Sequence, residues 1–297
     1  MDCRRLLMLL SAAEGYVIGG ERYYCVVESQ LPFLGISVDE MESLPGARSV
    51  CCWEGGVCGD CVESLWPPIY VARCVGARGL EELIASSCIQ GGLKGVSRQE
   101  HVLERCVVFL RLLSALFKMR INNEVMFKRI LEGLLRITLP DCIVGVESHP
   151  RFDVSRVDIF IECRDAAVAI DIKSPKDIRD TPAKSTPDQI AKTFMHLRES
   201  YQWERKPVAF IVIPTNGQPI PYFYGIGERE KGYIHLLTLL TIPGLEKYCK
   251  KMEREQDRPF TLHELLYALA TAKVETIHIE ERELARFFRR HLDTAEL

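Results

Sequence analysis

Between Asn123 and Ile137, Val125, Phe127, Ile130, Leu131 and Leu134 fall on one helical stripe, and Pro140 closes the segment. Upstream, Ser97 followed by Glu100 has the spacing of a capping box, and apolar residues run at helical spacing from Val102 through Cys106, Phe109, Leu110 and Leu113 to Leu116. The period then changes. Cys142 to Glu147, Arg156 to Cys163 and Ala167 to Lys173 read as three strands. A polar stretch with Pro175, Pro182 and Pro187 leads into a helix from Asp188 to about Trp203, and the run Pro207 to Pro214 reads as a buried strand, with Ile220 to Tyr224 as an added edge. Helix, three strands, helix, strand is an α/β order and predicts a mixed central sheet flanked by helices.

The flanks carry weaker patterns. Met1 to Ala13 has two arginines and a short apolar stretch, the outline of a secretory leader, but Asp2 interrupts the positive start and the apolar run is short. The segment is expected to be an amphipathic helix ended by Gly15. Tyr16 to Ile18 and Arg22 to Glu28 read as strands around a Gly19-Gly20 turn, and Leu80 to Ile89 as a helix. Residues 42–79, rich in Gly, Pro and Cys, are expected to be irregular and held by something other than a core. The C-terminal part reads as mostly helical, with Thr261 and Glu264 capping one helix and Glu280 to His291 forming a last charged one. These shifts suggest a Cys-rich N-terminal domain over 1–95, an α/β core over 96–225 and a helical extension over 226–297.

Composition narrows the classes. With 47% apolar and 27% charged residues in 297, the chain can build cores and is not wholly disordered. A net charge of −3 excludes binding nucleic acid by bulk positive charge, though a local basic groove remains open. No apolar run reaches the roughly 18 residues of a membrane span, so no membrane partner is expected. Twelve cysteines are many, but reading an even count as disulfides is strongest for short secreted chains, and this one has ample core; the expected location is cytoplasmic.

The chemistry concentrates between Ser155 and Lys176. Side chains alternate faces along a strand, so Asp158 lies opposite Val157, Ile159 and Ile161. On the next strand Asp171 and Lys173 share one face while Val168, Ile170 and Ile172 take the other. If the two strands pair through Arg164-Asp165, two carboxylates and an ammonium gather on one side of the sheet, where the acids need a cation or solvent. Two carboxylates and the Ile172 carbonyl form an all-oxygen set suited to Mg²⁺ or Mn²⁺. Such an ion polarises a phosphodiester and acidifies a bound water, and a neighbouring lysine can orient that water or offset charge in the transition state.

This arrangement resembles the PD-(D/E)xK nuclease superfamily over about 100 residues, from Glu124 to Tyr224. The resemblance implies a restriction-endonuclease-like core and a metal-dependent DNA nuclease, with Asp158 and Asp171 as metal ligands, Lys173 as the catalytic lysine and Glu124 as an accessory acid. Asp171-Ile172-Lys173-Ser174 and Gln189 also resemble the RecB-like exonuclease branch, in which Gln189 would touch substrate or water. Val157 stands where the family has proline, Thr193 where that branch has tyrosine, and His101 competes with Glu124 for the upstream position. A rival reading is a non-catalytic nucleic-acid-binding or assembly protein on the same scaffold. Endonuclease or exonuclease action and oligomeric state are left open.

A second cluster lies in the N-terminal part. Cys51, Cys58, Cys61 and Cys74, with Cys52 beside them, include one C-x2-C knuckle; they could hold Zn²⁺ or an iron–sulfur cluster, form disulfides or remain buried thiols. Cys106, Cys142, Cys163 and Cys249 sit in apolar runs and read as core residues. Trp53 and Trp66 are expected to cover a small core, and His149 and His196 to be structural. Lys176, Arg179, Lys184, Lys192 and Arg198 form either a phosphate-tracking groove or a solvated face.

Overall fold

A computed structural model describes residues 1–52, 58–61, 68–88, 102–121, 123–146, 157–174, 192–196, 198–199, 206–220 and 233–274. It is a mixed α/β structure with two five-stranded sheets, helices against them and several disulfides.

Helix α1 (Cys3–Ala12) starts where Asp2 accepts a hydrogen bond from the Arg5 amide, and it buries Leu6, Leu7, Leu9 and Leu10. Strands β1 (Glu14–Ile18) and β2 (Glu21–Val27) form the expected hairpin, turning where Gly19 and Gly20 take positive φ values that other residues resist. Short helix α2 (Val38–Glu42) follows. The next region departs from expectation: residues 42–79 contain β3 (Arg48–Cys52), β4 (Cys58–Asp60) and β5 (Tyr70–Gly76), and the first sheet has the order β1-β2-β5-β3-β4. Backbone ladders, with Cys25, Val50, Ala72 and Cys74 buried together, hold a segment whose composition had read as irregular.

Helix α3 (Ala77–Cys88) matches its expected position, and α4 (Cys106–Lys118) is buried along most of its length. In α5 (Glu124–Thr138), Asn123 caps the first turn; the apolar stripe is buried except at Val125, which is exposed. Gly133 sits where α1 crosses, and a Cβ there would lie 2.6 Å from the Leu10 carbonyl oxygen. Only glycine permits this approach.

The second sheet has the order β10-β9-β8-β7-β6, from β6 (Ile143–Val146), β7 (Ile159–Glu162), β8 (Ala167–Lys173), β9 (Val208–Pro214) and β10 (Ile234–Leu236). β6, β7 and β8 are antiparallel neighbours, while β8 pairs in parallel with β9, and β9 with β10. The edge beyond β9 is thus β10; of the stretch expected there, 220–224, only Ile220 is described, and it is not in a strand. One face, with Ile159, Ile161, Val168, Ile170 and Ile172, packs into the large core with α1, α4, α5 and the last helices. The other, with Phe160, Ala167, Ala169, Phe210 and Val212, is covered by Phe194 and Ile220. Helix α6 (Ile242–Gln256) packs on α4, and α7 (Leu262–Ala270), begun by the Thr261–Glu264 capping box, packs on β8 and β9. Residues from all three expected segments share the large core.

Among the described residues, no helix is long and apolar enough to cross a membrane.

Candidate metal and carboxylate site

The β7–β8 register pairs Ile159 with Ile170, so the next position outward sets Asp158 against Asp171. Two acids directly opposed across antiparallel strands repel when both are ionised. The peptide amide of Ile172 answers part of this, donating to Asp158 Oδ2 at 2.7 Å. Lys128 on α5 places Nζ 3.3 Å from the other oxygen, Oδ1. Lys173 Nζ lies 2.9 Å from Asp171 Oδ2. Asp171 is buried, and its carboxyl is pushed up to about 6, first by desolvation and then by the Asp158 carboxylate, against the opposing pull of the Lys173 ammonium. A protonated Asp171 carboxyl would donate to the facing Asp158 carboxylate.

The backbone fits the same picture. Thr215 N donates to the Lys173 carbonyl at 2.9 Å, so that carbonyl points to β9. The preceding residue, Ile172, therefore turns both its N–H and its C=O toward the β7 side, where Asp158 stands. Two carboxylates, that of Asp171 buried, and a carbonyl form a hard, all-oxygen donor set that suits a divalent cation.

The structure thus brings Asp158, Asp171 and Lys173 together. Glu124 opens α5, half-buried, one turn before Lys128 on the same face of the helix. Gln189, His101 and His149 lie outside the described residues, as do Trp53, Trp66, Lys176, Arg179 and Lys184. Lys192, His196 and Arg198 are exposed, and Arg198 stacks over the Tyr233 ring at 5.1 Å. Lys128 was not anticipated. Its signal was a lysine between Phe127 and Ile130 on the buried stripe of α5, a position that calls for a partner such as Asp158 at the sheet end.

Of the three alternatives open for Cys51, Cys58, Cys61 and Cys74, the disulfide holds for Cys51, Cys61 and Cys74, and metal ligation by these three is corrected. Cys51 is bonded to Cys61 and Cys74 to Cys25, so these sulfurs are not the thiolates that Zn²⁺ or an iron–sulfur cluster requires. Cys58 has its backbone in β4 opposite Cys52, which is itself disulfide-bonded; the Cys58 side chain lies outside those described. Cys106, Cys142, Cys163 and Cys249, read as simple core residues, are joined as Cys106–Cys249 and Cys142–Cys163. With Cys3–Cys88, five disulfides connect described cysteines.

Against known proteins, no family model matches the chain and no solved structure matches it. A stretch of 54 residues, 18% of the chain, is 43% identical to Conotoxin Im5.4 of Conus imperialis and covers 83% of it. Over that stretch the chain belongs to the same family as this conotoxin, and the rest of the chain lies outside the match. The expectation of a cytoplasmic protein is overturned by these findings. Five disulfides and the likeness to a conotoxin point to an extracellular or secreted protein.

Proposed function

We propose that the chain is a divalent-metal-dependent nuclease that hydrolyses phosphodiester bonds of DNA, on a restriction-endonuclease-like core. The observation that carries the reading is the facing pair Asp158 and Asp171, with Lys173 beside the second acid. Mg²⁺ or Mn²⁺, when bound, supplies Lewis-acid polarisation of the phosphate and a more acidic water. Asp158, Asp171 and the Ile172 carbonyl would hold the ion, with Glu124 as an accessory acid.

The residues have separable roles. Asp171 moves a proton: burial and Asp158 favour its neutral form, so ion binding must release that proton, and affinity rises with pH through about 6. The Ile172 amide keeps the Asp158 carboxylate aimed at Asp171. Lys173, beside Asp171, would orient a water or offset charge on the scissile phosphate. Gln189 would touch substrate or water. The Cys25–Cys74 disulfide would keep the first sheet intact in an oxidising medium.

One observation favours the rival, a non-catalytic nucleic-acid-binding or assembly protein. Lys128 and Lys173 each pair with one of the two acids, so the site is balanced without an ion. The deciding experiment incubates plasmid and single-stranded DNA with the protein in Mg²⁺, in Mn²⁺ and in chelator. The nuclease reading expects ion-dependent cleavage that Asp171→Ala or Lys173→Ala abolishes in folded protein. Cleavage that is absent, or unchanged in both variants, refutes it.

A further inference from the structure

A second group of ligating side chains lies at the far end of the same hairpin. Cys142 precedes β6 and Cys163 follows β7; extending the register that pairs Ile143 with Glu162 sets them directly opposite, with Cα atoms 4.4 Å apart, and they are joined as a disulfide. His263, the second residue of α7, is brought to this pair by the packing of α7 on the sheet. Its ring nitrogen and the two sulfurs all lie within 4.8 Å of one another. His263 Nε2 also meets Asp165 Oδ1 at 2.5 Å, in the turn between β7 and β8. Asp158 and Cys163 are five residues apart along β7, on the order of 17 Å at strand spacing, so this group is separate from the carboxylate pair.

Each part has a chemical reason. Two thiolates and an imidazole form a donor set typical of Zn²⁺, leaving a fourth position for water or another ligand. A carboxylate that holds one ring N–H fixes the tautomer and makes the other nitrogen a better ligand. Asp165, in contact with Nε2, is placed to do this for His263. His263 and Cys142 are half-buried, so the group is open to solvent on one side, whereas Cys106 and Cys249 are fully enclosed.

We propose that Cys142, Cys163 and His263 form a redox-gated Zn²⁺ site, closed while the disulfide is intact and opened by a dithiol reductant. The reductant's two sulfurs become a disulfide, and its two electrons and two protons leave Cys142 and Cys163 as thiols. Zn²⁺ then binds, both thiol protons pass to solvent, and two Zn–S bonds and one Zn–N bond form. Reduction therefore exchanges a covalent clamp between β6 and β7 for a metal clamp that also ties the hairpin to α7. The chemistry is independent of any activity at Asp158 and Asp171.

The test uses the full chain and Co²⁺ as a spectroscopic substitute for Zn²⁺. Limited reduction is followed by thiol mapping to show that Cys142 and Cys163 are open. The expected result is one Co²⁺ per chain with the intense visible absorption of a tetrahedral thiolate site, seen after reduction and not before. Zn²⁺ affinity should fall by at least about tenfold in His263→Ala, and about 10–100-fold in Asp165→Asn, whose side chain no longer fixes the ring. Both variants keep every cysteine, so they fold with the native disulfides and report on the site alone. Equal Co²⁺ binding before reduction would overturn the proposal. So would absorption in reduced His263→Ala that matches the wild type, because the metal would then sit on other cysteines, and so would the absence of binding to protein mapped as reduced at Cys142 and Cys163.

Discussion

Replacing Asp171 by Asn should stabilise the metal-free protein above neutral pH. In the folded chain this carboxyl titrates near 6 rather than at its ordinary 3.8, chiefly because it is desolvated. Between those two values the folded state keeps a proton that the unfolded chain releases, so its contribution to stability is full below pH 3.8 and is lost as pH rises to about 6. The gap is about two units, and at about 1.4 kcal/mol per unit the loss is about 3 kcal/mol. An amide at this position has nothing to ionise. The unfolding free energy of Asp171→Asn, relative to wild type, should therefore be independent of pH below about 4, rise through the window, and by pH 7.5 be about 3 kcal/mol higher, a gain on the order of 5 °C in Tm. The assay is urea unfolding of both proteins at a series of pH values with chelator present. A stability difference that stays flat from pH 4 to 7.5, or one that falls with pH, would show that Asp171 holds no proton in the folded state across this window. Saturating Mn²⁺ should close the gap, because the ion stabilises only the protein that binds it, by about 2.7 kcal/mol at a hundred times Kd.

Further outcomes rest on other contacts. Lys128→Met should destabilise the metal-free protein by about 3 kcal/mol, since Asp158 loses its buried partner, and should tighten Mn²⁺ binding about tenfold by removing a competing charge; calorimetric titration showing unchanged or weaker binding would contradict this. The double substitution Cys25→Ala with Cys74→Ala opens a loop spanning 49 positions within the first sheet, and chemical unfolding should show a loss of about 4 kcal/mol. Gly133→Ala should cost about 1–3 kcal/mol by pushing α1 off α5, visible as a lower Tm with unchanged metal affinity.

What was legible in the sequence depended on how local the signal was. β8 and β9 are near-continuous apolar runs buried on both faces, and their limits match the expected strands to within a residue. α5 declares itself by a cap, a stripe and a terminating proline, and Thr261 with Glu264 does the same for α7. The first sheet was obscured because β3, β4 and β5 are short, pair with strands distant in sequence, and are interrupted by Gly, Pro and Cys that mimic loop composition. β10 has three residues, too few for a period to emerge. Asp158 and Asp171 were found together because one hairpin joins them, and Asp165 and His263 were missed because 98 positions separate them. Cysteine pairing has no local code: Cys106 finds Cys249 across 143 positions only because α4 and α6 pack together. The same gap explains the mistaken cytoplasmic expectation, which took the size of the core as a reason for the cysteines to stay reduced.

Asp158 and Asp171 are proposed to hold one hard divalent cation jointly. Electron paramagnetic resonance of free Mn²⁺, titrated with the purified protein at pH 7.5, counts bound ions directly. One Mn²⁺ per chain is expected, displaced by Mg²⁺, weakened as pH falls through 6, and lost in both Asp158→Asn and Asp171→Asn. Binding that persists undiminished in both variants, or wild-type protein that leaves the free Mn²⁺ signal untouched, would contradict it.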